Sequence, residues 1–198
     1  MSDLVNYPKT KRGEITMNKL LNAAEALFLE KGYYNASIVD ITKEAGVGLG
    51  TFYVYFEDKF SIYKYLVLSY SRKIRRHIAV SINHLQTRKE MEKAGLLAYL
   101  EFIQEYPHTY NILWESLHVD KQLFREYYET FADFYKRALD KASDAGDLKS
   151  YDNEVVAYAL MGIANFIGLR WVVLETTDNL EAVADEVTRM LDEGLFLK

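Results

Sequence analysis

Cysteine is absent from the 198 residues, which removes disulfide staples, thiol nucleophiles and thiolate metal sites from the chemistry open to this chain. Proline occurs twice and glycine ten times, and 49% of residues are hydrophobic, a profile that excludes a disordered or low-complexity chain. Strand-like alternation never extends beyond a few residues, and phosphate-loop, dinucleotide-binding and nucleophile-elbow patterns are missing. Met1–Thr10 contains no apolar run of the kind a secretory signal needs, so the expected location is cytoplasmic. One long apolar stretch is present, Val155–Leu174, interrupted by Asn165 and Arg170. It is read as the centre of a helical bundle rather than a membrane span, and no membrane partner is expected.

Net charge is −5, but the charges are unevenly placed. Residues 1–84 carry 12 basic and 8 acidic side chains, a net +4, and residues 85–198 carry 12 and 21, a net −9. The two halves are therefore suited to different partners.

Apolar residues recur at helical spacing almost throughout, giving an all-α reading. A first helix is expected over about residues 13–31, burying Ile15, Leu20, Ala24, Leu27 and Phe28 and stopping at Gly32. Ser37 followed by Asp40 is a capping-box variant that opens a short second helix to about Ala45. Gly46-Val47-Gly48 interrupts, a seven-residue helix over residues 49–55 follows, and Asp58 caps a long amphipathic helix of about 25 residues, ~38 Å. Breaks near Gln86–Thr87, Tyr106–Pro107, Leu117–Asp120, Ala145–Ser150 and Thr176–Asn179 leave room for five more helices, the last near Leu180–Leu191. No repeat of fixed period occurs, so a solenoid is not expected.

The stretch from Ser37 to Lys59 is the most informative. It reads as helix, tight turn, helix, with Ile38, Ile41, Ala45, Val47, Phe52 and Phe56 turned inward and the outer face of the second short helix left free. Spacing alone leaves DNA binding and a purely structural helix pair equally open. The run Ala45-Gly46-Val47-Gly48-Leu49-Gly50-Thr51-Phe52-Tyr53-Val54-Tyr55-Phe56-Glu57-Asp58-Lys59, with Phe28-Leu29-Glu30-Lys31-Gly32-Tyr33 upstream, resembles the signature of the TetR family of bacterial transcriptional regulators. The resemblance is detailed over about the first 60–65 residues and general beyond them.

The resemblance implies an N-terminal helix-turn-helix DNA-binding domain over residues 1–57 and a helical effector-binding and dimerisation domain over 58–198. It places residues 49–55 in the major groove, with Leu49, Gly50, Thr51 and Val54 nearest the base edges. Tyr53, Tyr55 and Lys59 would hold phosphates, and Ser37 would offer its hydroxyl or amide at a helix start. Packing is the alternative role for the two tyrosines. Gly48 departs from the serine common in the family, and the helix lacks the Arg, Asn and Gln that read bases bidentately. Base preference would then come from thymine methyls, Thr51, DNA shape, or Val39 and Lys43 on the adjacent helix. Lys9, Lys11 and Arg12 fit either a minor-groove arm or a disordered tail.

Eleven of the 28 aromatic residues fall between Tyr99 and Tyr135. Core packing accounts for any one of them, but bulky rings on neighbouring helices favour an internal pocket with tyrosine hydroxyls as polar handles. Phe102, Tyr106, Tyr110, Trp114, Tyr127 and Phe131 are the candidate effector-lining residues, joined by Asn165, Phe166 and Arg170 from the apolar stretch. Arg170 either meets an anionic ligand or pairs with an acidic side chain. Glu105-x-x-His108 and Glu115-x-x-His118 have the spacing of di-iron carboxylate ligands, but ten residues separate the copies and Pro107 interrupts the first. No metal, cofactor or enzymatic activity is expected. The favoured function is a ligand-responsive regulator, a repressor, binding a pseudo-palindromic operator as a homodimer and released by a small hydrophobic or aromatic effector. A soluble helical ligand carrier or metal-dependent enzyme is the alternative.

Overall fold

Capping and periodicity translate directly into helices. In the computed structural model, which describes residues 5–175, 177 and 179–193, the order is α1 (Lys11–Asn35), α2 (Ile38–Glu44), α3 (Leu49–Tyr55), α4 (Lys59–Ile82), α5 (Arg88–Glu105), α6 (His108–Val119), α7 (Lys121–Asp144), α8 (Asn153–Gly168) and α9 (Leu180–Glu193). Among the described residues there are these nine α-helices, a π-helix over Leu169–Leu174 and one isolated bridge, Val5 to Phe56. Residues 1–4, and Thr176 and Asp178 of the expected break before α9, lie outside the described residues.

The expected caps are formed. Ser37 Oγ accepts from Asp40 N at 3.0 Å while the Asp40 carboxylate accepts from Ser37 N at 3.1 Å, a reciprocal box at the start of α2. Asp58 Oδ1 accepts from Ser61 N at 2.7 Å, and Ser61 Oγ accepts from Asp58 N at 2.8 Å, which opens α4. Thr87 and Glu90 repeat the device at α5.

Packing divides the chain into two units, residues 1–70 with 108–127, and residues 71–107 with 128–198. The functional boundary expected at 57/58 thus falls inside the first unit, because α6 packs on α1 there. In that unit Leu20, Ala24, Phe52, Phe56, Ile62 and Tyr63 have no measurable exposure, and the Tyr63 hydroxyl donates to Ile112 O at 2.7 Å. In the second unit α5 packs on both α8 and α9, burying Leu100, Ala157 and Ala184 completely.

Three expectations need correction. Ile15 is 60% exposed and Met17 is buried in its place, because at 100° per residue Ile15 stands ~140° away from Leu20 around the helix. Residues 155–174 are not one regular helix: α8 ends at Gly168 and Leu169–Leu174 continue as a π-helix. Nor does that stretch form a buried centre within the chain. An 18-residue window within Asn153–Leu174 has mean hydropathy 1.6, yet only 22% of that window is buried, and Val155, Phe166 and Leu174 are about two-thirds exposed.

Candidate nucleic-acid interface

α2 ends because Gly46 turns to φ +66°, a left-handed conformation that residues with a Cβ rarely adopt. Gly46 N then donates to Lys43 O at 3.2 Å and Val47 N to Thr42 O at 3.0 Å, the paired bonds of a Schellman stop. The chain leaves this stop directed into α3. Ile41 of α2 and Phe52 of α3 are both fully buried, and Ile38 and Val47 are half-buried beside them, so the two helices share one apolar seam.

What remains outside is a small, weakly polar face. Val39 is 61% exposed, Leu49 47%, Tyr53 51% and Val54 58%, while Lys43, Gly48 and Gly50 are exposed and Thr51 is half-buried. Gly48 is the N-cap of α3 and supplies no side-chain cap. A Cβ built at Gly50 would meet nothing within 4 Å, so the protein's own packing does not demand glycine there. Glycine in a helix costs about 0.5–1 kcal/mol relative to alanine, and its bare Cα lets an outside partner approach closely.

The residues expected to hold phosphates are not equivalent. Tyr53 projects outward, whereas Tyr55 is only 9% exposed, with its hydroxyl packed where a Cβ on Gly13 would come within 3.4 Å. Lys59 is half-buried, and its Nζ donates to Tyr33 O at 2.7 Å, Ala36 O at 2.8 Å and Tyr34 O at 3.4 Å. Burial lowers its pKa, and the Glu115 carboxylate acts in the opposite sense. The Ser37 hydroxyl is committed to Asp40 within the capping box.

The segment before α1 is neither a free arm nor a loose tail from Val5 onward. Val5 pairs with Phe56, Asn6 N donates to Tyr55 O at 2.9 Å, and Thr10 Oγ1 accepts from Gly13 N to cap α1. Lys9, Lys11 and Arg12 remain exposed at the edge of this strap. Sequence reasoning could not see it, because the pairing joins residues about fifty positions apart without a turn signal.

The nine residues expected to line an effector pocket are divided between the packing units. Tyr110, Trp114 and Tyr127 lie in the first, the other six in the second. In the first, Tyr110 and Tyr127 are buried, while Trp114 is 42% exposed and lines an open groove of about 440 Å3 with Phe28, Leu29 and Glu115. In the second, Phe102 and Phe131 are buried, and the Phe102 and Tyr106 rings lie 4.9 Å apart. Asn165 Oδ1 accepts from the Tyr99 hydroxyl at 3.2 Å, and Asn165 Nδ2 donates to Met161 O at 2.8 Å. Phe166 and Arg170 point away from any interior: Phe166 is 66% exposed, and Arg170 pairs with Glu175 at 2.6 Å, the acidic-partner alternative. Two buried nitrogens of this unit, His77 Nε2 and Arg88 Nε, have no hydrogen-bond partner among the described residues. Neither stood out in the sequence.

The Glu-x-x-His copies serve structure instead. His108 Nε2 lies 2.9 Å from Glu25 Oε1, which also accepts from the Tyr70 hydroxyl, and Glu115 Oε1 accepts from Tyr33 N at 2.7 Å. No group of three or more candidate ligand side chains capable of holding a metal occurs among the described residues.

Comparison with known proteins converges on one kind of molecule. Residues 20–66 match the model of the bacterial regulatory proteins, tetR family. An uncharacterized HTH-type transcriptional regulator of Bacillus subtilis, YdgC, is 26% identical over 94% of this chain and 96% of its own length. A similar regulator in the lacX 3' region of Lactococcus lactis is 26% identical over 74% of this chain and 78% of its own. Among solved structures, a putative TetR-family transcriptional regulator from Syntrophomonas wolfei aligns with a TM-score of 0.83 at 26% identity, covering 94% of this chain and 99% of the other. The transcriptional regulator FadR from Bacillus subtilis, solved in complex with stearoyl-CoA, aligns with a TM-score of 0.75 at 19% identity over 91% of this chain and all of the other, a likeness of fold.

Proposed function

Because the chain belongs to the tetR family of bacterial regulatory proteins and is a DNA-binding transcriptional regulator of the helix-turn-helix type, we propose that it represses from a pseudo-palindromic operator as a homodimer and is released by a small hydrophobic effector. The observation that carries the DNA site is the outward face of α3, where Gly50 is open to its surroundings and Leu49, Thr51, Tyr53 and Val54 flank it. Leu49, Gly50, Thr51 and Val54 approach base edges, Val39, Lys43 and Gly48 border them, and Tyr53 donates to a phosphate. Ser37 contributes at the start of α2 only through the backbone its cap holds.

Pairing through α8 and the π-helix after it supports the dimer, since Val155, Phe166 and Leu174 leave an apolar face that no described residue covers. Two heads about 34–36 Å apart would enter successive major grooves on one side of the duplex. An effector that binds better to a conformer with the heads wrongly spaced must weaken operator affinity by the same factor with which DNA weakens effector affinity. In the second unit, His77 Nε2 and Arg88 Nε are buried without a hydrogen-bond partner among the described residues, and each is a separate place where a polar effector group would supply one. A fatty acyl compound is the first effector to try, since a protein of like fold was crystallised with stearoyl-CoA.

The test is duplex selection from a randomised pool, followed by titration at rising salt. The log of affinity should fall linearly with the log of salt concentration, at about 0.9 per phosphate neutralised. Tyr53→Phe should weaken binding to all duplexes alike, by roughly fivefold for one lost hydrogen bond. Failure to select any duplex would overturn the operator-binding reading.

A further inference from the structure

The hinge between α1 and α2, residues 32–36, is held from two sides within the first packing unit. Gly32 breaks α1 at φ 75°, ψ 165°, a conformation reserved for glycine, and exposes backbone groups that a continuing helix would have paired. The hinge N–H side faces α6: Tyr33 N donates to Glu115 Oε1 at 2.7 Å, and the Tyr34 hydroxyl donates to His118 O at 2.9 Å. A Cβ on Gly32 would stand 2.8 Å from that same Glu115 oxygen, so the carboxylate is seated against bare Cα. The carbonyl side faces α4, where Lys59 Nζ donates to the carbonyls of Tyr33, Tyr34 and Ala36 and lies 4.3 Å from the centre of the Tyr33 ring. An ammonium has three donors, and all three are occupied here. The residue immediately after this hinge is Ser37, the cap of α2.

We propose that Lys59 and Glu115 are positioning residues that clasp residues 32–36 and thereby set the placement of α2 and α3 on DNA, Lys59 doing so without touching a phosphate. The proposal rests on the DNA-binding reading above and departs from the role that the resemblance implied for Lys59. A lysine that contacted phosphate would have to give up at least one of these hinge carbonyls. Glu115 has no counterpart in that resemblance, standing 82 residues from the amide it holds.

Lys59→Met, Lys59→Arg, Glu115→Leu and Glu115→Gln separate the alternatives, measured on the best duplex selected by the unmodified protein and on an unrelated duplex. The clasp predicts that Lys59→Met and Glu115→Leu lose about tenfold in affinity for the selected duplex, the scale of one base contact, with the unrelated duplex and the salt slope unchanged. Glu115→Gln keeps an acceptor and stays near the parent. Lys59→Arg keeps the charge but not the compact three-donor head, and behaves like Lys59→Met. A parallel loss on both duplexes with the slope reduced by about 0.9 would make Lys59 a phosphate contact and overturn the proposal. Parallel losses that recover on cooling would reduce both residues to general support of the fold and overturn it as well. Hydrogen exchange without DNA reads the clasp independently. Amides of residues 33–45 should exchange faster in Lys59→Met and Glu115→Leu while those of the rest of α1 do not, and unchanged protection would sink the clasp even if the parent protein bound no duplex.

Discussion

The outward face of α3 and the outward face of α8 both meet solvent and both expose apolar side chains, yet they differ in bulk and in polar content. α3 sets Leu49 and Val54 beside the bare Gly50, Thr51 and the Tyr53 hydroxyl, in the half of the chain that carries net positive charge. α8 presents Val155 and Phe166, in the half that carries net negative charge. A phosphate-lined duplex suits the first, being polar, anionic and best met by a surface without bulk. Only another apolar surface suits the second, because leaving large side chains in water forfeits about 1.5–3 kcal/mol for each that could be buried. Exposure alone therefore says little, and the chemistry of the exposed face identifies the kind of partner.

That contrast can be broken by moving the properties of one face onto the other. The largest effect is expected from Phe166→Glu, which sets a charge in the proposed pairing surface at a cost of several kcal/mol. Light scattering should then report one chain where the parent gives two, and operator affinity should fall by about a hundredfold, as expected when one of two half-sites loses its partner. An unchanged mass would remove α8 from the dimer interface. Gly50→Ala gives a smaller and opposed pair of effects: the free protein should gain about 0.5–1 kcal/mol of stability, while affinity for the selected duplex falls by about tenfold. A variant that is stabilised and binds as well as the parent would mean that nothing approaches Gly50.

The smallest effect tests the support beneath the α3 face. Hydrogen bonds from the Ser37 hydroxyl and amide hold the Asp40 carboxyl below its ordinary value of 3.8. A folded-state pKa lower than the unfolded one contributes stability that is present above 3.8 and lost as pH falls through the folded value. Ser37→Ala should accordingly raise the Asp40 pKa in an NMR titration and flatten the acid limb of the unfolding curve. An unmoved Asp40 titration would show that the cap is not formed in solution.

Much of the head was legible because its signals are local. Ser37 with Asp40, Gly46, and Asp58 each act over three or four residues, and the helix borders they set agree with the structure. What stayed hidden was long-range or out of phase. The Glu115 to Tyr33 bond and the Val5 to Phe56 bridge leave no trace in residue spacing. Arg170 reads as a polar group in an apolar helix that meets either an anionic ligand or an acidic side chain, and the choice between them depends on the π-helix, whose wider turns shift the phase of each side chain and bring the guanidinium to Glu175. The apolar stretch 155–174, with the terminal helix 180–191, exceeds what one small domain needs to bury and reads from the sequence as a dimer surface, but periodicity does not say which of its residues stay outside the chain's own packing. The roles of Tyr55 and Lys59 illustrate the same limit, because a motif records residue identities and not the hydrogen bonds they make at home.

The strap before α1 has a practical consequence for handling the molecule. Asn6 N holds the last carbonyl of α3, and Gly13 has no room for a Cβ against Pro8, so residues 5–10 are packed into the helix-turn-helix unit. An affinity handle fused there pulls on the very helix whose seating is being measured, and apparent operator strength would then vary with the handle's bulk. Purification sequences belong at the opposite terminus.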